Sequence, residues 1–322
     1  MQALPAAIPS FARIADNYRT LGEVEEALRR QGLETSKLIV AIDYTKSNLA
    51  NGKLTFHGRS LHSISESSKR FEQIPEAEIV NVSGQQQPQR VTSDNATLYP
   101  SVSPELAASM YPSAPADDSI SPEAEDVALN PYQQVLRIVG QTLRAFDDDG
   151  KIYCVGFGDS QTTNRSVLPF HRNKKPCAGF EEVIRCYNSI TPKLQLSGPT
   201  DFTPVIKEAI RIVSQTRQYT ILLILTDGEV TDPELTGRAI VEASNYPISI
   251  VCIGVGDGPF DTMEEYDDLL PERRFDNFQF VNFDKTVRDA YVENPAANFA
   301  MHALMEIPEQ YAAIKRLGLL RK

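Results

Sequence analysis

The stretch Asp43-Tyr44-Thr45-Lys46-Ser47 sets a carboxylate and two hydroxyls at alternate positions. Three hard oxygens so spaced suit Mg²⁺ or Mn²⁺, which prefer oxygen ligands, Mg²⁺ in octahedral geometry with some water retained. Acids and hydroxyls after a strand also cap helices, so these five residues alone leave both readings open. Two later stretches add donors. Gly198-Pro199-Thr200-Asp201-Phe202-Thr203 offers a hydroxyl just ahead of a helix. Thr226-Asp227-Gly228 closes a second apolar run with a second acid.

The elements that must position these groups are legible from hydrophobic pattern. Leu38-Ile39-Val40-Ala41-Ile42 and Ile221-Leu222-Leu223-Ile224-Leu225 are unbroken apolar runs rich in branched side chains, as in strands buried on both faces. Further strands are predicted over residues 152–157, 248–255 and 278–283. Between them, Tyr132, Val135, Leu136, Val139, Leu143 and Phe146 mark one face of a helix. Helices are also predicted near residues 21–31, over 180–190, from Thr203, from Asp232-Pro233, and over 285–305 and 308–319. Thr203 and Pro204 suit the N-cap and first helical position, leaving Thr200 free in the loop. Asp147-Asp148-Asp149-Gly150 reads as the turn that ends its helix, and Asp159 as a turn acid or a group on the rim of the cleft. This alternation predicts an α/β fold: a doubly wound, mainly parallel sheet flanked by helices, with helical extensions at the termini. Such sheets bind ligands beyond the carboxyl ends of their strands, where Asp43, Thr45, Ser47, Thr200 and Asp227 are expected to converge.

The set D-x-[ST]-x-S, a loop threonine and T-D-G resembles the metal-ion-dependent adhesion site of von Willebrand factor A domains, whose sheet is Rossmann-like. The wording around it is similar to copine-type A domains: Asp43-Tyr44-Thr45-Lys46-Ser47-Asn48, Arg59-Ser60-Leu61-His62-Ser63-Ile64, Asn130-Pro131-Tyr132, Gly156-Phe157-Gly158-Asp159, Gly179-Phe180-Glu181-Glu182-Val183 and Gly254-Val255-Gly256-Asp257-Gly258-Pro259. Within that family it is similar to the copine domain of plant RING-type ubiquitin ligases, from about Ile14 to Leu320. The resemblance implies a divalent cation, Mg²⁺ or Mn²⁺, held by the hydroxyls of Thr45, Ser47 and Thr200 and by Asp43 and Asp227, directly or through water. Thr45 stands where many A domains have serine, and either hydroxyl can ligate.

The chain of 322 residues has a net charge of −11, against the basic balance that a nucleic-acid backbone demands. Most of that charge lies in one segment, where eleven acids face three bases between Glu66 and Asp126. Residues 65–129 also hold seven prolines, the run Gln85-Gln86-Gln87 and many serines, a composition that predicts a disordered insertion. The expected organisation is therefore an N-terminal extension with a helix over 1–36 and a copine-type A domain over 37–320, interrupted by that insertion.

Four cysteines with no C-x-x-C, and no evident signal peptide, favour a reducing compartment, cytoplasmic and/or nuclear. No apolar run approaches a membrane span. A RING needs about eight closely spaced Cys/His ligands, and the four histidines and four cysteines here are scattered, so no RING can be built from these residues. Nor is the C2 pair of copines proper expected within residues 1–36. No G-x-S-x-G occurs and no cysteine has a histidine beside it in sequence, so nucleophilic catalysis is not expected. The expected role is a metal-dependent protein-interaction module whose partner offers an acidic side chain to the cation. The alternative is a component of, or substrate adaptor for, a ubiquitin ligase, with partners in the ubiquitin pathway.

Overall fold

The structure, a computed structural model, describes residue 14 and residues 18–33, 36–65, 129–143, 147–171, 174–270, 272–288 and 294–320. The insertion expected over 65–129 lies outside the described residues except at its two ends, as does Phe146.

One sheet of seven strands organises the described residues. The strands are β1 (Ser36–Asp43), β2 (Asp147–Phe157), β3 (Leu168–Pro169), β4 (Cys177–Ala178), β5 (Thr220–Thr226), β6 (Ile248–Gly254) and β7 (Phe278–Asn282). Their order is β3-β2-β1-β5-β6-β7, with β4 also pairing with β2. The long strands run parallel, whereas β3 and β4 pair antiparallel with β2. From β1 the chain goes first to β2 on one side and later to β5 on the other, so the winding reverses at β1. That reversal opens a crevice beyond the ends of β1 and β5.

Every residue of β5 and β6 is buried, as the unbroken apolar runs require of strands covered on both faces. On one face, Ile39, Ala41, Leu222, Ile224, Ile250 and Cys252 meet Val205, Ile206, Ala209 and Val213 of α4 (Thr203–Thr216) and Ala239 and Ile240 of α5 (Pro233–Ala243). Each buried Val, Leu or Ile among them contributes about 1.5–3 kcal/mol relative to exposure. Toward the other face lie α2 (Pro131–Leu143), α3 (Gly179–Ile190), α8 (Pro295–Leu304) and α9 (Ile307–Arg316). Of these, α8 and α9 pack on β6, α3 packs on β2, and α8 also packs on α2. The N-terminal helix α1 (Leu21–Arg30), capped by Thr20 Oγ1, packs on α8 and α9 rather than lying free.

Three local expectations change, and three short elements were not foreseen. Thr203 is the first residue of α4 instead of its N-cap: Phe202 before it is already in the right-handed region, and Asp201 Oδ1 accepts from Thr203 N at 2.8 Å. Strand β2 begins at Asp147, inside the expected turn; Gly150 takes φ +62° and the register with β1 shifts between Ser36 and Leu38. The helix expected over 285–305 is two, α7 (Phe283–Val287) and α8, the second restarting at Pro295 behind an Asn294 cap. Helix α6 (Asp261–Asp268) and the two-residue strands β3 and β4 carry no period long enough to read from sequence. Asp232 caps α5 as expected, accepting from Leu235 N at 2.9 Å.

Candidate metal centre

Asp43 is the last residue of β1, and Asp227 follows the last residue of β5 directly. Parallel pairing of those strands brings the two acids to the same end of the sheet, and both are fully buried. The short 3₁₀ turn Lys46–Leu49 folds Ser47 back over the strand end, with Thr45 as its N-cap residue. Ser197 beside Thr45 forms a parallel bridge with it, and Ser197 O accepts from Lys46 N at 2.7 Å. This contact draws the 198–203 loop, and Thr200 with it, against the strand end.

The five residues converge. Ser47 Oγ donates to Asp227 Oδ1 at 2.9 Å, Thr45 Oγ1 and Ser47 Oγ lie 2.9 Å apart, and Thr200 Oγ1 donates to Thr45 Oγ1 at 3.3 Å. Asp43 Oδ1 accepts from Thr45 N at 2.8 Å, and Asp43 Oδ2 accepts from Thr226 Oγ1 at 2.6 Å. Asp227 Oδ2 is buried and accepts nothing. Burial pushes the Asp43 carboxyl up against the hydrogen bonds from Thr226 and Thr45. Burial, reinforced by the charge of Asp43, pushes Asp227 up to about 8. Neither acid has a salt bridge among the described residues. Two buried acids sharing a pocket of hydroxyls without a basic partner form a strongly electronegative site. The donor set is oxygen only and includes a buried carboxylate oxygen with no donor, so the residues fit a hard divalent cation.

A supporting network holds these ligands in place. Asn48 Nδ2 donates to Thr45 O at 3.2 Å and to Asp43 O at 3.4 Å, and Tyr132 Oη donates to Asn48 Oδ1 at 2.7 Å. His62 is buried, which pushes its pKa down to about 4 and keeps it neutral. Its Nε2 donates to Asp43 O at 2.7 Å, leaving Nδ1 to accept from Tyr187 Oη at 2.8 Å. Its ring stacks between those of Tyr44 and Tyr132, with centroids 4.8 and 4.2 Å away. Asn51 Nδ2 donates to Asp227 O at 3.0 Å. Sequence reasoning did not pick out Thr226, Asn48, His62 or Tyr132 as parts of the site. Asn48 and His62 stand within stretches that carried the family resemblance, and Tyr132 within Asn130-Pro131-Tyr132. Gly158 takes φ +82°, and a Cβ there would run into Thr45 Cγ2.

Asp159 is a buried turn acid, not a rim group: its Oδ1 accepts from Gln161 N at 2.8 Å, and Oδ2 accepts from Thr162 Oγ1. Cys154 and Cys252 are buried free thiols, as their place in apolar strands implied. A cysteine and a histidine, distant in sequence, do meet: Cys186 Sγ lies 3.8 Å from His171 Nε2. Among the described residues, no helix is long and apolar enough to cross a membrane.

Comparison with known proteins places this geometry in a family. E3 ubiquitin-protein ligase RGLG5 of Arabidopsis thaliana is 41% identical over 324 residues, covering 96% of this chain and 61% of the relative. E3 ubiquitin-protein ligase RGLG3 of the same plant is 39% identical over 330 residues, covering 98% and 72%. Copine family protein 2 of Caenorhabditis elegans is 40% identical over 308 residues, covering 95% of this chain and 3% of the relative. The chain thus spans 3% and 61% of the length of two of these relatives. Among solved structures, a von Willebrand factor type A protein from Catenulispora acidiphila is similar over 86% of this chain and 43% of that one, at 11% identity and a TM-score of 0.38. The Copine family matches residues 121–322, which with the near-full-length identity to the plant and nematode proteins shows that this chain belongs to the copine family.

Proposed function

We propose that this protein is a protein-interaction module that binds partners through a divalent cation, Mg²⁺ or Mn²⁺, held at the ends of β1 and β5. The observation that carries this reading is the buried, unaccepting Asp227 Oδ2 among the hydroxyls of Ser47, Thr45 and Thr200. Ser47, Thr45 and Thr200 would offer hydroxyl oxygens, while Asp43 and Asp227 supply the charge. The bound cation would supply a Lewis-acidic position for a carboxylate of the partner. The residues do no bond-making chemistry: Asn48, His62 and Asn51 orient the strand ends, and burial keeps bulk water from dispersing the charge. Leu49, 51% exposed two residues beyond Ser47, offers apolar area beside the ligand set for a protein surface.

A second reading, a substrate adaptor within a ubiquitin ligase, is favoured by relatives named E3 ubiquitin-protein ligases at 39–41% identity over nearly the whole chain. It uses the same site, since an adaptor must also grip a substrate.

The test is calorimetric titration of Mg²⁺ and Mn²⁺ into the parent and into Asp227→Ala. Binding by the parent and its loss in the variant is the expected result. A parent that takes up neither ion overturns the metal-bridge reading.

A further inference from the structure

On the side of the sheet edge formed by β3 and β4, a different donor set assembles from three separate elements. His171 follows β3, whose position is tied by Phe170 N donating to Cys154 O at 3.0 Å. Cys177 lies on β4, opposite Ile152 of β2, and is buried. Cys186 and Glu182 stand one turn apart on α3, so they share a face of that helix. His171 O accepts from Lys174 N at 2.9 Å, and β3 and β4 both pair antiparallel with β2, one further along it than the other.

The donor atoms of His171, Cys177 and Cys186 all lie within 4.8 Å of one another. Cys186 Sγ is 3.8 Å from His171 Nε2, and Glu182 Oε1 is 3.5 Å from the same nitrogen. Zinc bonds of about 2.3 Å to sulfur and about 2.0–2.1 Å to nitrogen make tetrahedral donor–donor edges of about 3.4–3.8 Å, which both separations match. Glu182 is already oriented, because its other oxygen, Oε2, accepts from Ala178 N. The side chains of His171 and Glu182 keep 31% and 26% of their exposure, so an ion can enter from that side.

Two thiols, an imidazole and a carboxylate are a soft-to-borderline set suited to Zn²⁺ and unlike the all-oxygen site at the strand ends.

We propose that His171, Cys177, Cys186 and Glu182 form a structural Zn²⁺ site that pins helix α3 and strand β4 to the edge of the sheet. Binding displaces the thiol protons of Cys177 and Cys186 to solvent; the two thiolates neutralise the ion, and the Glu182 carboxylate leaves the site with one net negative charge.

The experiment titrates Co²⁺ alone into the reduced, chelator-treated full chain and follows its absorption. One equivalent should develop thiolate-to-cobalt charge-transfer and tetrahedral d–d bands that Zn²⁺ then abolishes. Cys186→Ser should reduce the charge-transfer intensity by about half or weaken Co²⁺ binding by about 100-fold. Asp227→Ala should leave the bands unchanged, because oxygen donors cannot produce them. Should Cys186→Ser fail to fold by circular dichroism, His171→Ala, altered at a partly exposed position, should weaken Co²⁺ binding and shift the d–d bands. Absence of charge-transfer bands in the parent overturns the site. So does an unchanged spectrum and affinity in His171→Ala.

Discussion

Ser47 Oγ donates to Asp227 Oδ1 across 2.9 Å, although 180 positions separate the two residues in the chain. The bond joins the ends of β1 and β5, and the second oxygen of Asp227 is buried without a donor. Burial and the neighbouring Asp43 therefore push Asp227 up to about 8, an excess cost of ionisation in the metal-free site.

Asp227→Asn follows from that excess. Replacing a buried, unpaired acid by its neutral isostere should raise the melting temperature of the metal-free protein. The linkage cost of holding a carboxyl far above its unfolded pKa disappears. Mg²⁺ should stabilise the parent by mass action and leave the variant unmoved. Thermal melts with EDTA and with Mg²⁺ decide it; a metal-free variant that melts below the parent contradicts the assignment.

Thr200→Val removes one hydroxyl that bonds Thr45 Oγ1 at 3.3 Å, while keeping the side-chain shape. Losing one charge-assisted interaction of about 1.5–3 kcal/mol corresponds to about 10- to 150-fold weaker Mg²⁺ binding. Calorimetry measures the loss, and unchanged affinity would remove Thr200 from the ligand set.

Tyr132→Phe deletes the donor to Asn48 Oδ1, a buried acceptor whose amide in turn holds the carbonyls of Asp43 and Thr45. An acceptor left unsatisfied costs about 1–3 kcal/mol. Urea denaturation should show that loss in the metal-free protein, and Mg²⁺ affinity should fall with it because Tyr132 is a positioning residue.

Gly158→Ala should be at least as damaging. The added methyl meets Thr45 Cγ2 on a backbone at φ +82°, so clash and strain together cost about 2–4 kcal/mol. Circular dichroism during urea unfolding reports it, and a variant as stable as the parent would mean that the 157–159 turn relaxes away from Thr45.

Asp257 sets the pH dependence of the loop over the site. Burial pushes its carboxyl up, but Leu54 N, Thr55 N and Thr55 Oγ1 donate to it at 2.9, 2.9 and 2.7 Å and hold the pKa below the usual carboxylate value. Such a group contributes stability above its unfolded pKa and loses that contribution as pH falls through the folded value. Asp257→Ala should therefore cost about 1–2 kcal/mol at neutral pH. The gap from the parent should shrink in acid below about pH 4. Paired urea melts at neutral and acid pH measure it; a gap independent of pH would contradict the assignment.

The residues of the site were legible in the chain because each follows from a local rule. Five-residue apolar runs rich in branched side chains favour strands covered on both faces over helices, which sets the acid ending each run at a strand end. Alternation then places Thr45 and Ser47 with Asp43. What the strand ends do with one another was not local. Parallel pairing of Ala41 with Ile224, and Ile42 with Leu225, brings Thr226 onto Asp43 and leaves Asp227 Oδ2 orphaned, and no spacing within either stretch encodes that. The part played by His62, a neutral ring wedged between two tyrosines beneath Asp43 O, depends on burial that only packing creates. The meeting of His171 with Cys186 has the same origin. It rests on two-residue strands too short to carry a hydrophobic period, and they form because the edge of β2 already stands there to pair with them.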